Sequence, residues 1–414
     1  MNSEYTIRRA ESAADASKLN TLFSEVFHPE DVGAMAEIMF HHLPGLKREY
    51  WFIAEGAASG RIVSAFVLIP WTWQMEGARL KVAEMGIVGT LEAHRGRGLM
   101  RRLNKEFDQT LEKEGFDLAV IQGIPGFYQQ FGYSYSLPLE NHINLSLHLI
   151  PDRKEADEWA FRLAGDQDIS YLMAQDREYQ AAYTLSTFRD EAHWRYLLNE
   201  SRQTEYGSEF WIMENRPGSE AFYFRIPQEG FGTGLIVSEV SEAISANALD
   251  VLFAFCKEMA VARDKPYIRF NLHNESPAGK MAIAMGARPG RPYAWQIKIP
   301  DAVRLLSTMA PVLQRRLQAS PFQHFSGRLR LNFYKHGVDL NWREGWLESV
   351  TAADAQCDHT LSLPSDLFPS LCLGYRSWQE LRHVRPDINP SSSQSALLVE
   401  ALFPPTRAWI HEQY

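Results

Sequence analysis

Residues 85–103 read MGIVGTLEAHRGRGLMRRL, and this stretch constrains the chain more than any other. An apolar, β-branched run over 80–91 predicts a strand, which enters a turn with glycines at 96 and 98. Beyond the turn Leu99, Leu103, Phe107 and Leu111 recur every fourth residue and form one apolar helix face. The first amides of a helix lack partners within it and carry a partial positive charge. Glycine lets that backbone approach an anion with no Cβ in the way. Arg95, Arg97, Arg101 and Arg102 add fixed charge to the same segment. Backbone donors and guanidinium groups together suit a pyrophosphate. The competing reading is a plain strand–turn–helix joint with solvated arginines, which explains a bare Gly-x-Gly better than it explains four arginines around two glycines. The dinucleotide fingerprint does not fit, because it needs three spaced glycines and an acidic residue about twenty positions on. A P-loop does not fit either, because the Lys-Ser/Thr pair is missing.

Around this segment, 4–150 reads as an alternating α/β unit. Strands are expected at 5–8, 50–54, 62–70 and 118–122, with a helix over 13–26. A mixed segment follows at 151–298. Helices are expected there at 156–163, 190–198, 246–262 and 279–285, with strands at 209–214, 221–226, 235–240 and 267–272. The order repeats that of the first unit without a glycine-rich basic turn, as in a degenerate copy that has lost its cofactor loop. The remainder, 299–414, predicts an amphipathic helix over 301–316 and a hairpin of 328–333 with 338–342. A strand at 360–363, helical turns at 367–373 and 378–381, a polar loop at 389–395 and an apolar run at 396–403 follow. An α+β layer with a helix over a sheet fits this pattern. The expected division is thus 1–150, 151–298 and 299–414.

The chain's 414 residues suit two to four domains, and 45% hydrophobic residues suffice for several cores. The 42 Lys and Arg stand against 51 Asp and Glu, a formal charge of −9, which argues against a general nucleic-acid binder. Three scattered cysteines form neither a disulfide framework nor a zinc pair. His41 and His42 have no third residue at ligand spacing, so no metal is expected. The first twenty residues have no signal-peptide core, and no apolar run approaches the ~20 residues of a membrane span. A cytoplasmic protein without membrane contact is expected.

The turn resembles that of the GNAT acetyltransferases, which bind the coenzyme A pyrophosphate with Gln/Arg-x-x-Gly-x-Gly/Ala. Arg95 and Gly98 match this pattern, whereas Met100 departs from its small last residue. A larger aliphatic residue there, the FYQQFGY segment at 127–133, the chain length and the texture of 299–414 resemble the enhanced-intracellular-survival (Eis) branch. The resemblance implies tandem GNAT folds, each a mixed central sheet flanked by helices, followed by a sterol-carrier-protein-like α+β domain.

It also implies roles. Backbone groups of Val88, Gly89 and Thr90 would bind the pantetheine arm of acetyl-coenzyme A. Arg95, Gly96, Arg97, Gly98, Leu99, Met100 and Arg101 would hold the pyrophosphate, and Gly123 and Ile124 would line the other side. Tyr128 would protonate the departing thiolate, with Tyr133 as its rival, and the α-carboxylate of Tyr414 would accept the amine's proton. Glu84, on the strand before the turn, is the alternative base. The acceptor implied is a primary amine of a small polyamine, an aminoglycoside-like molecule or a lysine side chain. Its pocket would lie between the first two units and the tail, with Trp71 and Trp73 as candidate walls. A homo-oligomer, trimer or hexamer, is implied as well. A different reading makes the third unit an apolar-ligand carrier on a non-catalytic GNAT platform.

Overall fold

The computed structural model describes residues 4–153, 158–215, 218, 220–230, 232–290, 293–354 and 357–414. Strand β1 (Tyr5–Arg9) leads into helices α1 (Ala14–Phe27) and α2 (Val32–His42), the second of which has no counterpart among the sequence expectations. Strands β2 (Trp51–Gly56), β3 (Ile62–Met75) and β4 (Ala78–Thr90) form an antiparallel meander. Then come α3 (Leu99–Glu114), β5 (Leu118–Ile121) and β6 (Ser134–Glu140). The apolar face of α3 is buried as its spacing requires, with the Phe107 ring against Phe52 and Phe66. The helix stops at Gly115, whose φ of 71° lets its amide cap the carbonyls of Leu111 and Glu112.

The second stretch holds β7 (Ile143–Ser146), β8 (Trp159–Leu163), α4 (Ile169–Ala182), β9 (Leu185–Phe188) and α5 (Glu191–Asn199). It continues with β10 (Ser208–Asn215), β11 (Ala221–Pro227), β12 (Leu235–Val237), β13 (Glu239–Val240) and α6 (Ala246–Ala262). After these come β14 (Tyr267–Phe270), α7 (Pro277–Ala284), β15 (Arg288–Pro289) and β16 (Tyr293–Lys298). The helix expected at 156–163 is a strand over its described part, and 156–157 lie outside the described residues. Trp159, Phe161 and Leu163 alternate with the exposed Ala160 and Arg162, a period of two that pairs β8 with β10.

The third stretch begins with two helices, α8 (Ala302–Thr308) and α9 (Ala310–Gln318), where one was expected. Pro311 causes the break, since it lacks an amide donor and is tolerated only in the first turn of a new helix. Strands β17 (Gly327–Asn332), β18 (Gly337–Arg343), β19 (Trp346–Ala352) and β20 (His359–Ser362) follow, then α10 (Phe368–Cys372) and α11 (Trp378–Val384). The expected loop at 389–395 instead holds β21 (Asn389–Pro390) and the start of α12 (Ser393–Leu402), capped by the Ser392 side chain.

The sheets interleave these stretches. The largest runs β1-β2-β3-β4-β5-β16-β6, with β9 paired to the far end of β3. Thus β16 crosses back into the first sheet, while β7 pairs with β14 and β15 in the second stretch. The third stretch forms its own sheet, β19-β18-β17-β20-β21. Its apolar interior, including Leu329, Leu340 and Leu398, is continuous with the core that holds Leu80, Phe107 and Leu118. The second stretch has a separate core around Phe224, Phe253 and Phe270. Among the described residues no helix is long and apolar enough to cross a membrane.

Candidate active site

Strands β4 and β5 are parallel partners only from Val82–Glu84 to Leu118–Val120. Past that point β4 stays with β3, through a bulge opposite Ala65–Val67 in which Ile87 adopts a φ of 48°. A β-branched residue rarely takes that conformation, and the bulge leaves two residues facing one. Gly86 and Gly89 flank it where a Cβ would meet Ile69 and Phe23. The result is a notch with Glu84 at its apex. Val88, Gly89 and Thr90 form one arm; Gln122, Gly123 and Ile124 form the other.

The glycine turn lies at the far end of the first arm. Gly96 and Gly98 have φ of 72° and 70°, and no heavy atom lies within 4 Å of a Cβ built on either. Gly98 is the N-cap of α3 and brings no side-chain acceptor, so the first-turn amides stay available to an anion. Leu99 offers only its backbone, because its side chain is buried in the core, and Met100 is half-buried. Arg95, Arg97 and Arg101 are exposed. Arg97 pairs with Glu4 at 2.9 Å, and Arg95 donates to the Thr90 carbonyl at 3.3 Å. His94 instead meets the Tyr5 hydroxyl at 2.9 Å.

On the second arm Tyr128 lies against Gly123, whose carbonyl accepts from Gln296 at 2.7 Å and from the Tyr293 hydroxyl. Tyr128 is buried, yet its hydroxyl has no hydrogen-bond partner among the described residues. Burial, with a smaller effect of Tyr293, pushes its phenol up to about 12. Its rival Tyr133 is wholly enclosed in the core, and burial raises that phenol well above the usual tyrosine value. Ile124 is exposed at the end of the arm.

At the apex Glu84 is 2% exposed. Trp71 Nε1 donates to its Oε2 at 2.6 Å, and the Tyr414 hydroxyl donates to its Oε1 at 3.1 Å. Gln122 Nε2 donates to the Tyr414 hydroxyl at 2.7 Å. Burial raises the Glu84 carboxyl to about 7, against the opposing pull of the Trp71, Tyr414 and Gln122 hydrogen bonds. Of the two candidate walls, Trp71 lies between the tilted rings of His193 and Tyr414 at the junction. Trp73 packs on Trp295 in the core and has no exposed surface.

Tyr414 reaches the apex because the second stretch grips the backbone leading to it. The Trp409 carbonyl accepts from the Tyr179 hydroxyl, and that of His411 from Thr187 at 2.9 Å. Arg189 and Arg225 donate to the Glu412 carbonyl at 2.6 and 2.8 Å, and His193 donates to that of Gln413 at 2.7 Å. Arg225 also donates to the backbone oxygen of Tyr414 at 3.1 Å. Both arginines are buried and share Glu239, at 2.7 and 2.9 Å. Burial works to raise the Glu239 carboxyl, but the Arg189, His411 and Arg225 charges hold it well below the usual carboxylate range. The terminal oxygen that the expected carboxylate role of Tyr414 would draw on is thus held by a guanidinium.

Of the residues singled out from sequence, the fold brings Val88, Gly89, Thr90, Gly123 and Ile124 to the two arms, with Tyr128 and Tyr414 beside them. Gln122, Arg189, His193, Arg225 and Glu239 were not foreseen. Gln122, Arg189, His193 and Arg225 reach the tail from 187 to 292 positions away, Glu239 holds the two arginines, and no local spacing announces such contacts. Among the described residues no group of three or more His, Cys, Asp or Glu could hold a metal ion.

Residues 6–136 match the acetyltransferase (GNAT) domain family. No curated protein sequence matches the chain. The fold is similar to that of an Enterococcus faecalis V583 protein described as a probable N-acyltransferase, with 14% identity and a TM-score of 0.70 over 99% of both chains. It is also similar to Eis1 from Mycobacterium abscessus, with 14% identity and a TM-score of 0.61 over 99% of this chain and all of that one. Saccharomyces cerevisiae N-myristoyltransferase with bound myristoyl-CoA is similar over 72% of this chain and 80% of its own, with 11% identity and a TM-score of 0.50. The notch, the glycine turn and Tyr128 all fall within the matched segment. Residues 6–136 therefore match the GNAT acetyltransferase domain family, and the chain as a whole shares the fold of these solved structures.

Proposed function

We propose that the chain moves an acetyl group from acetyl-coenzyme A to a primary amine by direct attack within a ternary complex. The observation that carries this reading is the notch itself, with an anion-ready turn at one end and a buried, unpartnered phenol at the other. Backbone groups of Val88, Gly89 and Thr90 pair with the pantetheine arm. Amides from Gly96 to Arg101, helped by Arg95, Arg97 and Arg101, hold the pyrophosphate, and Gly123 and Ile124 close the opposite side. The yeast relative's bound myristoyl-CoA supports an acyl-coenzyme A in such a fold.

The amine attacks the thioester carbonyl, forming a C–N bond as the C–S bond breaks. The Val88 amide stabilises the developing oxyanion, and Tyr128 gives its proton to the sulfur. The amine's proton goes to the cluster of Glu84 and Tyr414. No cysteine serves as nucleophile in this scheme; Cys256 and Cys372 are buried, and burial raises Cys372 to about 12. The acceptor is a polyamine, an aminoglycoside-like molecule or a lysine side chain, entering where Trp71, His193 and Tyr414 meet. A cytoplasmic setting, a trimeric or hexameric assembly and the division into two GNAT-like units and a sterol-carrier-like domain belong to the same reading.

The test is release of free thiol from acetyl-coenzyme A with a panel of polyamines, aminoglycosides and lysine peptides, together with calorimetry of coenzyme A. Binding with turnover of one class is expected. Absence of both heat and thiol release overturns the reading.

A further inference from the structure

The hydroxyl of Tyr414 has a specific hydrogen-bonding arrangement. It donates its proton to Glu84 Oε1 at 3.1 Å and accepts one from Gln122 at 2.7 Å. A phenol oxygen has two lone pairs, so one acceptor position remains open. Glu84 itself receives only donors: Trp71 on Oε2, and Tyr414 and, at 3.4 Å, Gln122 on Oε1. That set holds an ionised carboxylate ready to take a proton, and Glu84 is nearly closed to solvent. With the carboxylate enclosed, the open lone pair of the phenol is the cluster's place for a proton from outside. The backbone oxygen of Tyr414 is meanwhile committed to Arg225.

We infer that the Tyr414 phenol relays the acceptor amine's proton to Glu84. This rests on the acetyl-transfer reading above and assigns its proton path to a side chain, where the family resemblance implied the α-carboxylate. As the amine adds to the carbonyl carbon, its N–H proton passes to Tyr414 Oη while the Oη proton passes to Glu84 Oε1. Tyr414 ends as a phenol and Glu84 as a carboxylic acid; the proton returns to water after the amide leaves. Gln122 positions the phenol. The other charged groups around the pair are Glu412, whose charge raises both acids, and Arg225, which lowers the phenol. Neutral His193 packs at a tilt against the Trp71 ring.

The experiment compares wild type, Tyr414→Phe, Glu84→Gln and the double variant of the full chain in steady-state kinetics from pH 5.5 to 9. Tyr414→Phe keeps the ring beside Trp71 and the backbone contact with Arg225. Each single variant should lower kcat by about a hundredfold, within the range for losing an acid–base group, with KM for acetyl-coenzyme A unchanged. The acidic limb of the pH profile should flatten in both. Because the two groups act in series, the double variant should fall no further than either single one. A Tyr414→Phe protein with wild-type kcat and pH profile overturns the relay. If that variant melts early, Glu84→Gln decides alone, and a wild-type rate again overturns it. A wild type inert with every amine would instead defeat the parent reading.

Discussion

A methyl group placed on Gly123 would come within 2.3 Å of the Tyr128 ring. The glycine is thus the seat on which the phenol rests, and the two residues form one feature. Replacing Tyr128 with Phe should cut turnover by about two to four orders of magnitude, the usual effect of losing a general acid. Calorimetry should find coenzyme A binding intact. Gly123→Ala should lower turnover in the same direction by displacing the ring.

The pH dependence of kcat should be asymmetric. Glu84 accepts a proton only when ionised, and its carboxyl sits at about 7, so the rate should fall as pH drops through 7 rather than through the usual carboxylate range. Tyr128 donates only when protonated, and at about 12 it remains so across the accessible range. No alkaline limb from the acid should appear below pH 10. Steady-state rates in constant-ionic-strength buffers check both halves.

Gly96 and Gly98 stand in left-handed backbone with open space around them, so alanine there meets strain and no clash. Such strain costs on the order of 1–3 kcal/mol per residue. The double alanine variant should weaken coenzyme A binding by about tenfold or more, read by calorimetry. The fold of the remaining sheet should hold, as circular dichroism would show.

Arg225→Met removes one of two guanidinium groups from buried Glu239 and three hydrogen bonds from the tail and Ser208. Breaking a buried ion pair from one side costs about 3–5 kcal/mol, and Arg189, which still pairs with Glu239, should hold the loss near the low end. Urea unfolding measures it. Hydrogen exchange of the amides of residues 409–414 should accelerate in the folded variant.

The glycine turn, the α3 face and Tyr128 were legible because each is local: a spacing of four, two glycines beside arginines, an aromatic cluster. The apex was legible only in part. Glu84 and Tyr414 were each named as a candidate base, but Gln122 was not, and the three are 38 to 330 positions apart, so only the completed fold shows that they meet. Local signals also misled where tertiary pairing overrode them. At 159–163 the pairing with β10 imposed a strand, and at 301–316 Pro311 split a helix that the apolar period alone would carry through.

The excursion of β16 has a consequence for any attempt to dissect the chain. Gln296 and Tyr293, from the far side of a long detour, brace the Gly123 carbonyl, and Lys298 reaches Asp108 on α3 at 2.8 Å. A fragment ending near position 150 would lack this plank between β5 and β6 and expose two raw hydrogen-bonding edges. The stretch that matches the acetyltransferase domain and the stretch needed to complete its sheet are thus different lengths of polypeptide here.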